Sequence, residues 1–246
     1  MKILVIDVGG SHVKILATGQ SVERRIESGP SLTAAQMVAA VKVLAKGWSF
    51  DAVSIGYPGV VRNDQPLTEP HNLGSNWVRF DYPAAFGKPV KILNDAAMQA
   101  LGSYRQGTML FLGLGTGLGS TLIADSVVLP MELAHLPFRK KTFEDYVGER
   151  ARQRKGTKKW RKRVIEMIEC LRAALLPEEV VIGGGNARHF DTPPPGCRIG
   201  DNTNAFAGGF RMWEGPTQAA PAKRARRRRV PEHADAGDAP RIPRPP

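Results

Sequence analysis

The chain has 246 residues, of which 42% are hydrophobic, and a formal net charge of +12. This length and hydrophobic content predict one or two globular domains with real cores. No apolar run approaches the ~18 residues that a membrane helix needs. The short apolar run at residues 3–6 is followed directly by Asp7, so we expect neither a membrane contact nor a signal peptide. With only Cys170 and Cys197, we expect no zinc, no disulfide framework and a cytoplasmic location.

The excess of basic residues predicts anionic partners. Residues 214–246 carry a net charge of +4, which leaves +8 for residues 1–213. Residues 139–163 hold 12 Lys and Arg against three acidic residues. Such a run is usually a solvated helix surface, but its density also fits a binding track for a polyanion.

The final residues, 214–246, differ in composition from the rest of the chain. They are rich in Pro, Ala and Arg and almost lack bulky apolar residues, which predicts a disordered basic tail. The block Arg226–Arg229 could contact nucleic acid or polyphosphate. A solvated tail is favoured, and we do not expect nucleic acid as the main partner.

The chain begins with three predicted strands. Residues 2–8 form a continuous apolar run, typical of a strand buried on both faces. Residues 13–18 and 21–26 predict the second and third strands, and Gly9-Gly10 predicts a hairpin turn between the first two. In such a turn, glycines let backbone N–H groups approach an oxyanion closely.

Three polar side chains flank this first turn. Ser11 adds a hydroxyl group and Lys14 adds a cation. Asp7 lies where a carboxylate could hold Mg²⁺, through water. Taken alone, an ordinary Gly-Gly hairpin is the favoured interpretation.

A helix and a strand follow. Residues 31–46 have helical spacing, with Ser31 as the expected cap, and residues 51–57 predict a strand. Pro58-Gly59 then fits a type II turn. The same dipeptide could instead bring backbone close to a substrate.

Residues 62–89 form a long Pro-, Asn- and Gly-rich segment. A loop of this length in a compact domain is usually functional or disordered, and its four aromatic residues favour order. Asn72 and its neighbours could present polar groups to a ligand, or they could serve turn geometry.

Asn94 and Asp95 end a short apolar run and precede a predicted helix at residues 96–101. The two side chains could cap that helix by accepting hydrogen bonds from its free N–H groups. Alternatively, Asp95 is a general base at the carboxyl end of a strand, where open α/β sheets place their sites. The surrounding residues must decide between these interpretations.

A second glycine-rich turn lies at residues 113–119, between a strand at 108–112 and a further β run. One glycine-rich loop is a weak signal. Two such loops, each joining consecutive strands and flanking an Asp at a strand end, are a much stronger one. The sequence therefore favours an anion site beside Asp95.

The remainder of the chain contains several weaker signals. Glu132 and His135 would share one face of a helical turn, or they form a surface pair. Residues 160–176 predict an amphipathic helix with Cys170 in the core. A strand at 178–182 then ends in Gly183-Gly184-Gly185, which would let a flat ligand lie against backbone, and a last helix is predicted at residues 205–213.

The motifs in their order resemble the sugar kinases of the ROK family (repressor, open reading frame, kinase), and within it the polyphosphate glucokinase branch. The resemblance covers about residues 1–213. Its motifs are Asp7-x-Gly9-Gly10-Ser11-x-x-Lys14, Pro58-Gly59, Asn72 to Trp77, Asn94-Asp95-Ala96, Gly115-Thr116-Gly117-x-Gly119, Glu132-x-x-His135 and Gly183-Gly184-Gly185. Ala134 replaces the family's usual Gly, and a basic stretch replaces the cysteines of the zinc-bearing branch.

The resemblance implies an α/β, actin-like (ribonuclease H-like) ATPase fold with two α/β domains around a cleft. We place the domains at residues 1–94 and 95–204, with a last helix at 205–213 packing back on the first domain. Asp95 would take the proton from the sugar 6-hydroxyl. The expected sugar-binding residues are Pro58, Gly59, Asn72, Asn94, Asp95, Glu132 and His135. The expected donor-binding residues are Asp7, Gly9, Gly10, Ser11, Lys14, Gly115, Thr116, Gly117, Gly183, Gly184 and Gly185.

The function implied is transfer of a phosphoryl group to glucose from ATP, from inorganic polyphosphate or from both, with Mg²⁺ and without zinc. Homodimers are common in the family. Three alternatives stay open: a kinase of mannose, fructose or an N-acetylhexosamine, a non-catalytic sugar-sensing regulator, and a nucleic-acid binder that uses the arginine-rich tail.

Overall fold

A computed structural model describes residues 1–201 and 203–214. The arginine-rich tail predicted to be disordered lies outside the described residues. The strands are β1 (Ile3–Val8), β2 (His12–Ala17), β3 (Arg24–Glu27), β4 (Ala52–Tyr57), β5 (Val61–Arg62), β6 (Gln65–Pro66), β7 (Val90–Asn94), β8 (Thr108–Leu114), β9 (Leu118–Ala124), β10 (Val127–Met131), β11 (Pro137–Phe138), β12 (Lys141–Thr142), β13 (Glu179–Gly183) and β14 (Cys197–Ile199). The α-helices are α1 (Ala34–Leu44), α2 (Tyr82–Phe86), α3 (Asp95–Ser103), α4 (Phe143–Val147), α5 (Glu149–Lys155), α6 (Thr157–Leu175) and α7 (Asn204–Arg211).

Two five-stranded sheets have the same arrangement of strands. The first has the order β3-β2-β1-β4-β7 and the second the order β10-β9-β8-β13-β14. In each sheet the first three strands in sequence are antiparallel neighbours, and the last two strands are parallel to the central one. The continuous apolar runs of β1 and β8 suit this central position, since such a strand is covered on both faces.

Each sheet has its own hydrophobic core. The first core packs α1 and the aromatic residues of the 62–89 segment against β1, β2 and β4, with Trp77 and Tyr82 almost fully buried. The second packs α4 and α6 against β8 and β13, with Trp160 at its centre. The apolar stripe of α6 is therefore buried, while its basic residues face outward.

Helix α3 lies between the two sheets. On one side Met98 packs with Val5 of β1 and Phe206 of α7. On the other side Ala96 and Ala100 pack against the second sheet. This helix begins at Asp95, so both cores position the residue predicted to be the base.

Glycines let α3 and α7 approach each other closely. A Cβ added to Gly102 would collide with the backbone of Asn204, and one added to Gly208 would collide with the backbone of Met98. Helix α7 also contacts the first sheet, where Ser54 Oγ donates a hydrogen bond of 2.6 Å to Gly209 O. The division into domains at residues 1–94 and 95–204 stays a proposal.

Several predicted elements differ from the structure. Helix α1 is capped by Thr33, because Gln36 completes a capping box with it, so the prediction of Ser31 as the cap was wrong. Cys170 is exposed, because it lies beside the apolar stripe of α6. The long 62–89 segment is ordered and contains α2 with the hairpin β5–β6.

None of the helices in the described residues is long and apolar enough to cross a membrane.

Candidate active site

A cleft of about 480 Å³ lies between the two sheets, where their glycine turns meet the start of α3. Most of the residues predicted to bind sugar or donor line this cleft, as do several that were not predicted. Its lining residues are Gly9, Gly10, Pro58, Gly59, Asn72, Asn94, Asp95, Ala96, Gln99, Gly113, Gly115, Thr116, Gly117, Leu118, Gly119, Ser120, Met131, Glu132, Glu144, Gly184 and Gly185.

Asn94 and Asp95 have different local roles at the start of α3. Asn94 caps the helix by accepting the Ala97 N–H at 3.2 Å, and its amide donates to Gly59 O at 3.1 Å. Asp95 accepts the Ala96 N–H at 2.8 Å through one carboxylate oxygen. Asn94 therefore fixes the helix start against the Pro58-Gly59 turn, and Asp95 presents a carboxylate to the cleft.

Asp95 and Asp7 form a pair of acidic groups with raised pKa values. Burial raises the pKa of Asp95 from 3.8 to about 7, and the like charge of Asp7 adds to the rise. Burial likewise raises the pKa of Asp7 to about 6, while Lys14 opposes the shift. A carboxylate with a pKa near neutrality is suited to accept a proton at neutral pH.

The first glycine turn is held through its carbonyl groups. Ser28 donates from its hydroxyl group to Gly9 O at 2.7 Å and from its N–H to Ser11 O at 3.0 Å. Within the described residues the N–H groups of Gly10 and Ser11 donate no hydrogen bond. The turn therefore offers backbone donors to an anion.

The second glycine turn, Gly115-Thr116-Gly117, is also braced by its carbonyl groups. Asn186 donates to Gly115 O at 3.1 Å, and the N–H of Glu149 donates to Thr116 O at 3.2 Å. In the part of the chain that is described, the N–H groups of Thr116 and Gly117 have no acceptor. Both turns thus keep unused donors.

Asn186 and Glu149 form a small network behind the second turn. The Asn186 amide also donates to Glu149 Oε2 at 2.8 Å, and Arg152 pairs with the same carboxylate. Hydrogen bonds from Arg152 above all, and also from Asn186 and Gln153, lower the pKa of Glu149 to about 2. Glu149 accepts a hydrogen bond from the same Asn186 amide that holds the turn, and so orients that amide.

Two further segments with predicted site residues also line the cleft. The Cβ of Asn72 lies 3.4 Å from where a Cβ of Gly10 would be, so the 62–89 segment reaches the first turn. Gly184 has a φ of +79°, and a Cβ there would collide with the backbone of Leu114. Gly184 and Gly185 thus bring the end of β13 against the second turn.

Five predicted site residues are not among those that line the cleft. Ser11 belongs to the first turn. The Oδ1 atom of Asp7 lies 3.6 Å from where a Cβ of Gly56 would be. Lys14 pairs with Glu23 at 3.6 Å, and Gly183 packs against the Phe111 ring. His135 is exposed and lies 3.8 Å from Glu132, which does line the cleft.

Several polar residues near the cleft were not predicted, among them Gln99, Glu144 and Asn186. Gln99 lies one helical turn after Asp95, so the i, i+4 spacing could have indicated it. Glu144 accepts the Leu118 N–H from 26 positions away, and Asn186 reaches Gly115 across 71 positions. No short sequence pattern predicts these two contacts.

A basic groove continues from the cleft. A cavity of about 570 Å³ shares Asn72, Thr116, Gly117 and Glu144 with the cleft and adds His71, Arg150 and Arg154. Arg154 also lines a further cavity of about 480 Å³, together with Lys155, Lys159, Lys162 and Arg163. We call these two cavities the basic groove.

Comparison with known proteins supports the predicted resemblance. Residues 3–129 match the model of the ROK family. The polyphosphate glucokinase of Mycobacterium tuberculosis (strain ATCC 25177 / H37Ra) is 30% identical over 210 residues, which cover 76% of this chain and 78% of that protein.

Solved structures confirm the predicted α/β, actin-like fold class. The inorganic polyphosphate/ATP-glucomannokinase of Arthrobacter sp. strain KM matches with a TM-score of 0.72 and 22% identity, covering 85% of this chain and 96% of that one. A ROK family glucokinase from Streptomyces griseus, in complex with glucose and AMPPNP, matches with a TM-score of 0.71 and 16% identity, covering 86% and 99%.

The family match spans half of the chain, and the curated relative is covered over most of its length. The chain therefore belongs to the ROK family.

Proposed function

We propose that this protein is a hexokinase-type sugar kinase that transfers a phosphoryl group from polyphosphate, ATP or both to the 6-hydroxyl of glucose. The observation that carries the proposal is the position of Asp95, whose carboxylate lines one cleft together with both glycine turns. The related polyphosphate glucokinase and glucomannokinase support the choice of sugar and donors.

In this mechanism Asp95 is the general base. It accepts the proton of the sugar hydroxyl as the oxygen attacks the terminal phosphorus of the donor. Its raised pKa makes it a competent base near pH 7, and a positioned base of this kind contributes roughly 10²–10⁴-fold to rate.

The glycine turns would bind the donor. Phosphoryl transfer needs positioning and charge stabilisation more than covalent help from the protein. The unused N–H groups of Gly10, Ser11, Thr116 and Gly117 point to this role, since preorganised donors stabilise developing negative charge. Gly184 and Gly185 would lie beside the far end of the donor.

The sugar would lie in the same cleft, beside the terminal phosphate of the donor. Pro58, Gly59 and Asn72 form its wall, and Glu132 presents a carboxylate for sugar hydroxyls. Asn94 already uses its side chain to cap α3 and to hold Gly59, so we assign it a positioning role beside the sugar. His135 would reach the sugar only after turning from its exposed position.

Asp7 fits the Mg²⁺ that the family implies. Its carboxylate has a pKa raised by burial and accepts no hydrogen bond from the described residues, so a cation would stabilise its charged form. Among these residues no group of three or more His, Cys, Asp or Glu side chains is arranged to hold a metal. Asp7 would hold Mg²⁺ through water, and the ion would neutralise phosphate charge.

The basic groove supports polyphosphate as a donor. It opens from the cleft at the second glycine turn and leads past Arg150 and Arg154 to the basic face of α6. ATP would not need this length of groove, whereas a polyphosphate chain whose end lies in the cleft would extend along it.

Replacing Asp95 by Asn tests the assignment of the base. We expect turnover to fall by about 10²–10⁴-fold, while glucose binding measured by calorimetry remains. Asp125→Asn, a change of the same kind at an exposed position between β9 and β10, serves as the control and should keep its activity. Full turnover in Asp95→Asn would refute the role of the base.

A panel of sugars tests the substrate. We expect glucose to give the highest kcat/KM among glucose, mannose, fructose and N-acetylhexosamines. Preference for another sugar would leave the kinase mechanism in place and change the substrate.

A dimeric state and a cytoplasmic location stay predictions.

A further inference from the structure

Three glycines lie side by side in the second sheet, under the start of α3. Gly119 pairs with Gly113, and Gly113 pairs with Gly183, across β9, β8 and β13. Residues that are paired in this way face the same side of a sheet. A Cβ on Gly119 would collide with the Cβ of Ala96, so this is the side that α3 covers. The row therefore leaves a strip of sheet without side chains between α3 and the cleft.

Gln99 is the polar side chain of α3 that reaches this strip. Its Oε1 lies 3.5 Å from where a Cβ of Gly183 would be, and Gln99 lines the cleft together with Gly113 and Gly184. The backbone carbonyl of Gln99 accepts the Ser103 hydroxyl, whereas its side-chain amide makes no hydrogen bond within the described residues. The amide thus keeps two donors and an acceptor available at the cleft.

We propose that Gln99 binds the phosphoryl donor, with its amide donating a hydrogen bond to the phosphate next to the one transferred. The inference deepens the proposed function and rests on it, because it takes this cleft as the donor site. Four residues of an α-helix rise about 6 Å, so Gln99 lies that far beyond Asp95 along α3. The reacting phosphate lies beside Asp95, and the following phosphate lies further along the cleft toward Gly184 and Gly185.

This contact would serve both donors. ATP and polyphosphate share consecutive phosphates at the reacting end and differ only beyond them, whereas the basic groove serves the distant part of polyphosphate alone. The phosphate beside Gln99 is bound before and during transfer. Loss of such a contact weakens ground state and transition state alike, so it raises KM for the donor and leaves kcat nearly unchanged.

Gln99→Met tests the contact, because it keeps the length of the side chain and its packing and removes the amide. The probes are tripolyphosphate and AMPPNP, a non-hydrolysable ATP analogue, each with Mg²⁺ and without sugar. Calorimetry at constant ionic strength should give a Kd about tenfold higher for both probes, since a hydrogen bond to a charged group is lost. The Kd for glucose should stay within about twofold, which a general disturbance of the cleft would not allow.

Gln99→Glu is the second variant, and decides the matter if Gln99→Met does not fold. It keeps the shape but places a negative charge beside the phosphate, so both Kd values should rise by more than tenfold. Gln106→Met and Gln106→Glu make the same changes at an exposed position beyond the other end of α3. They should leave both Kd values within about twofold.

An unchanged Kd in the folded Gln99 variants would overturn the proposal, as would an effect on one probe alone or a failure of the unchanged protein to bind either probe. The assay needs no turnover. Weakened phosphate binding in the variants of a protein that phosphorylates no sugar would therefore refute the proposed function and leave the contact of Gln99 standing.

Discussion

The carboxyl group of Asp95 connects the local structure to the chemistry. It stands in the first turn of α3, close to Asp7 and at the edge of the cleft. Burial and the neighbouring like charge both disfavour its ionised form. Ionisation is needed for catalysis, so this residue has opposite effects on activity and on stability as the pH rises.

The activity should fall at acidic pH. The base must be ionised, and its pKa is about 7, so kcat/KM should drop about tenfold for each pH unit below that value. The pH dependence of donor binding, measured on Asp95→Asn, controls for titration of the donor itself. If kcat/KM instead began to fall only near pH 3.8, the ordinary pKa of an aspartate, the assignment of Asp95 as the base would be contradicted.

The free energy of unfolding should change with pH in the opposite direction to the activity. A pKa raised in the folded state means that folding is favoured while Asp95 is protonated, and that this contribution is lost as the pH rises from about 4 through about 7. Asp95→Asn should therefore raise Tm at pH 8, by about 3–8 °C, and change it little at pH 5.

Asp145→Asn is the matched control for this effect. Hydrogen bonds from Thr142 lower the pKa of Asp145, so its contribution to stability is present above its unfolded pKa and is lost as the pH falls. This variant should not raise Tm at pH 8. A rise in both variants would point to net charge rather than burial as the cause.

At the scale of elements, the contact between α3 and α7 depends on glycines. Gly102 and Gly208 let two helix backbones approach within a distance that no side chain allows. Gly→Ala changes inside helices usually gain about 1 kcal/mol of helix propensity. Here the added methyl group meets backbone atoms, which cannot rotate away, so overpacking should outweigh that gain.

We expect Gly102→Ala to lower Tm by roughly 4–12 °C, since overpacking costs about 1–3 kcal/mol or more. The activity should fall as well, because α3 carries Asp95. Thermal unfolding followed by circular dichroism measures the first effect. Gly185→Ala, where no heavy atom of the described residues lies within 4 Å of the added Cβ, should leave Tm nearly unchanged.

Much of the element order could be predicted from local patterns. The apolar runs of β1 and β8 indicate central strands, and the glycines after them indicate the two turns. The true cap of α1 also has a local signal, because Thr33 and Gln36 show the capping-box spacing. The prediction of Cys170 in the core is wrong, because α6 buries Val164, Met167, Ile168 and Leu171 and leaves the neighbouring Cys170 exposed.

The candidate site was less predictable, because several of its contacts join distant parts of the chain. Nothing local to Glu144 or Asn186 indicates their contacts with β9 and with the second turn. The close packing of Gly102 on α7 likewise depends on elements about 100 positions apart. Such contacts follow from tertiary packing, which a pattern of a few residues does not encode.

At the scale of the whole molecule, the charge distribution should determine the choice of donor. Residues 1–213 keep a net charge of +8 without the tail, and the basic groove gathers part of it beside the cleft. Salt screens such extended electrostatic attraction more than it affects short contacts inside a cleft.

Raising the salt concentration from about 50 to 200 mM should therefore increase the KM for long-chain polyphosphate several-fold and the KM for ATP much less. The double change Arg154→Gln with Lys159→Gln should reduce this salt dependence, and Lys42→Gln, on an exposed position of α1, should not. Equal salt sensitivity for both donors would argue against the groove.

The position of α3 between the two cores has a mechanical consequence. Because α3 packs against both sheets, it would lie near the axis of any rotation of one sheet against the other. Points near an axis move little, so rotation would swing the glycine turns inward while the carboxylate stayed almost stationary. The protein could then bring its donor to the base rather than the base to its donor.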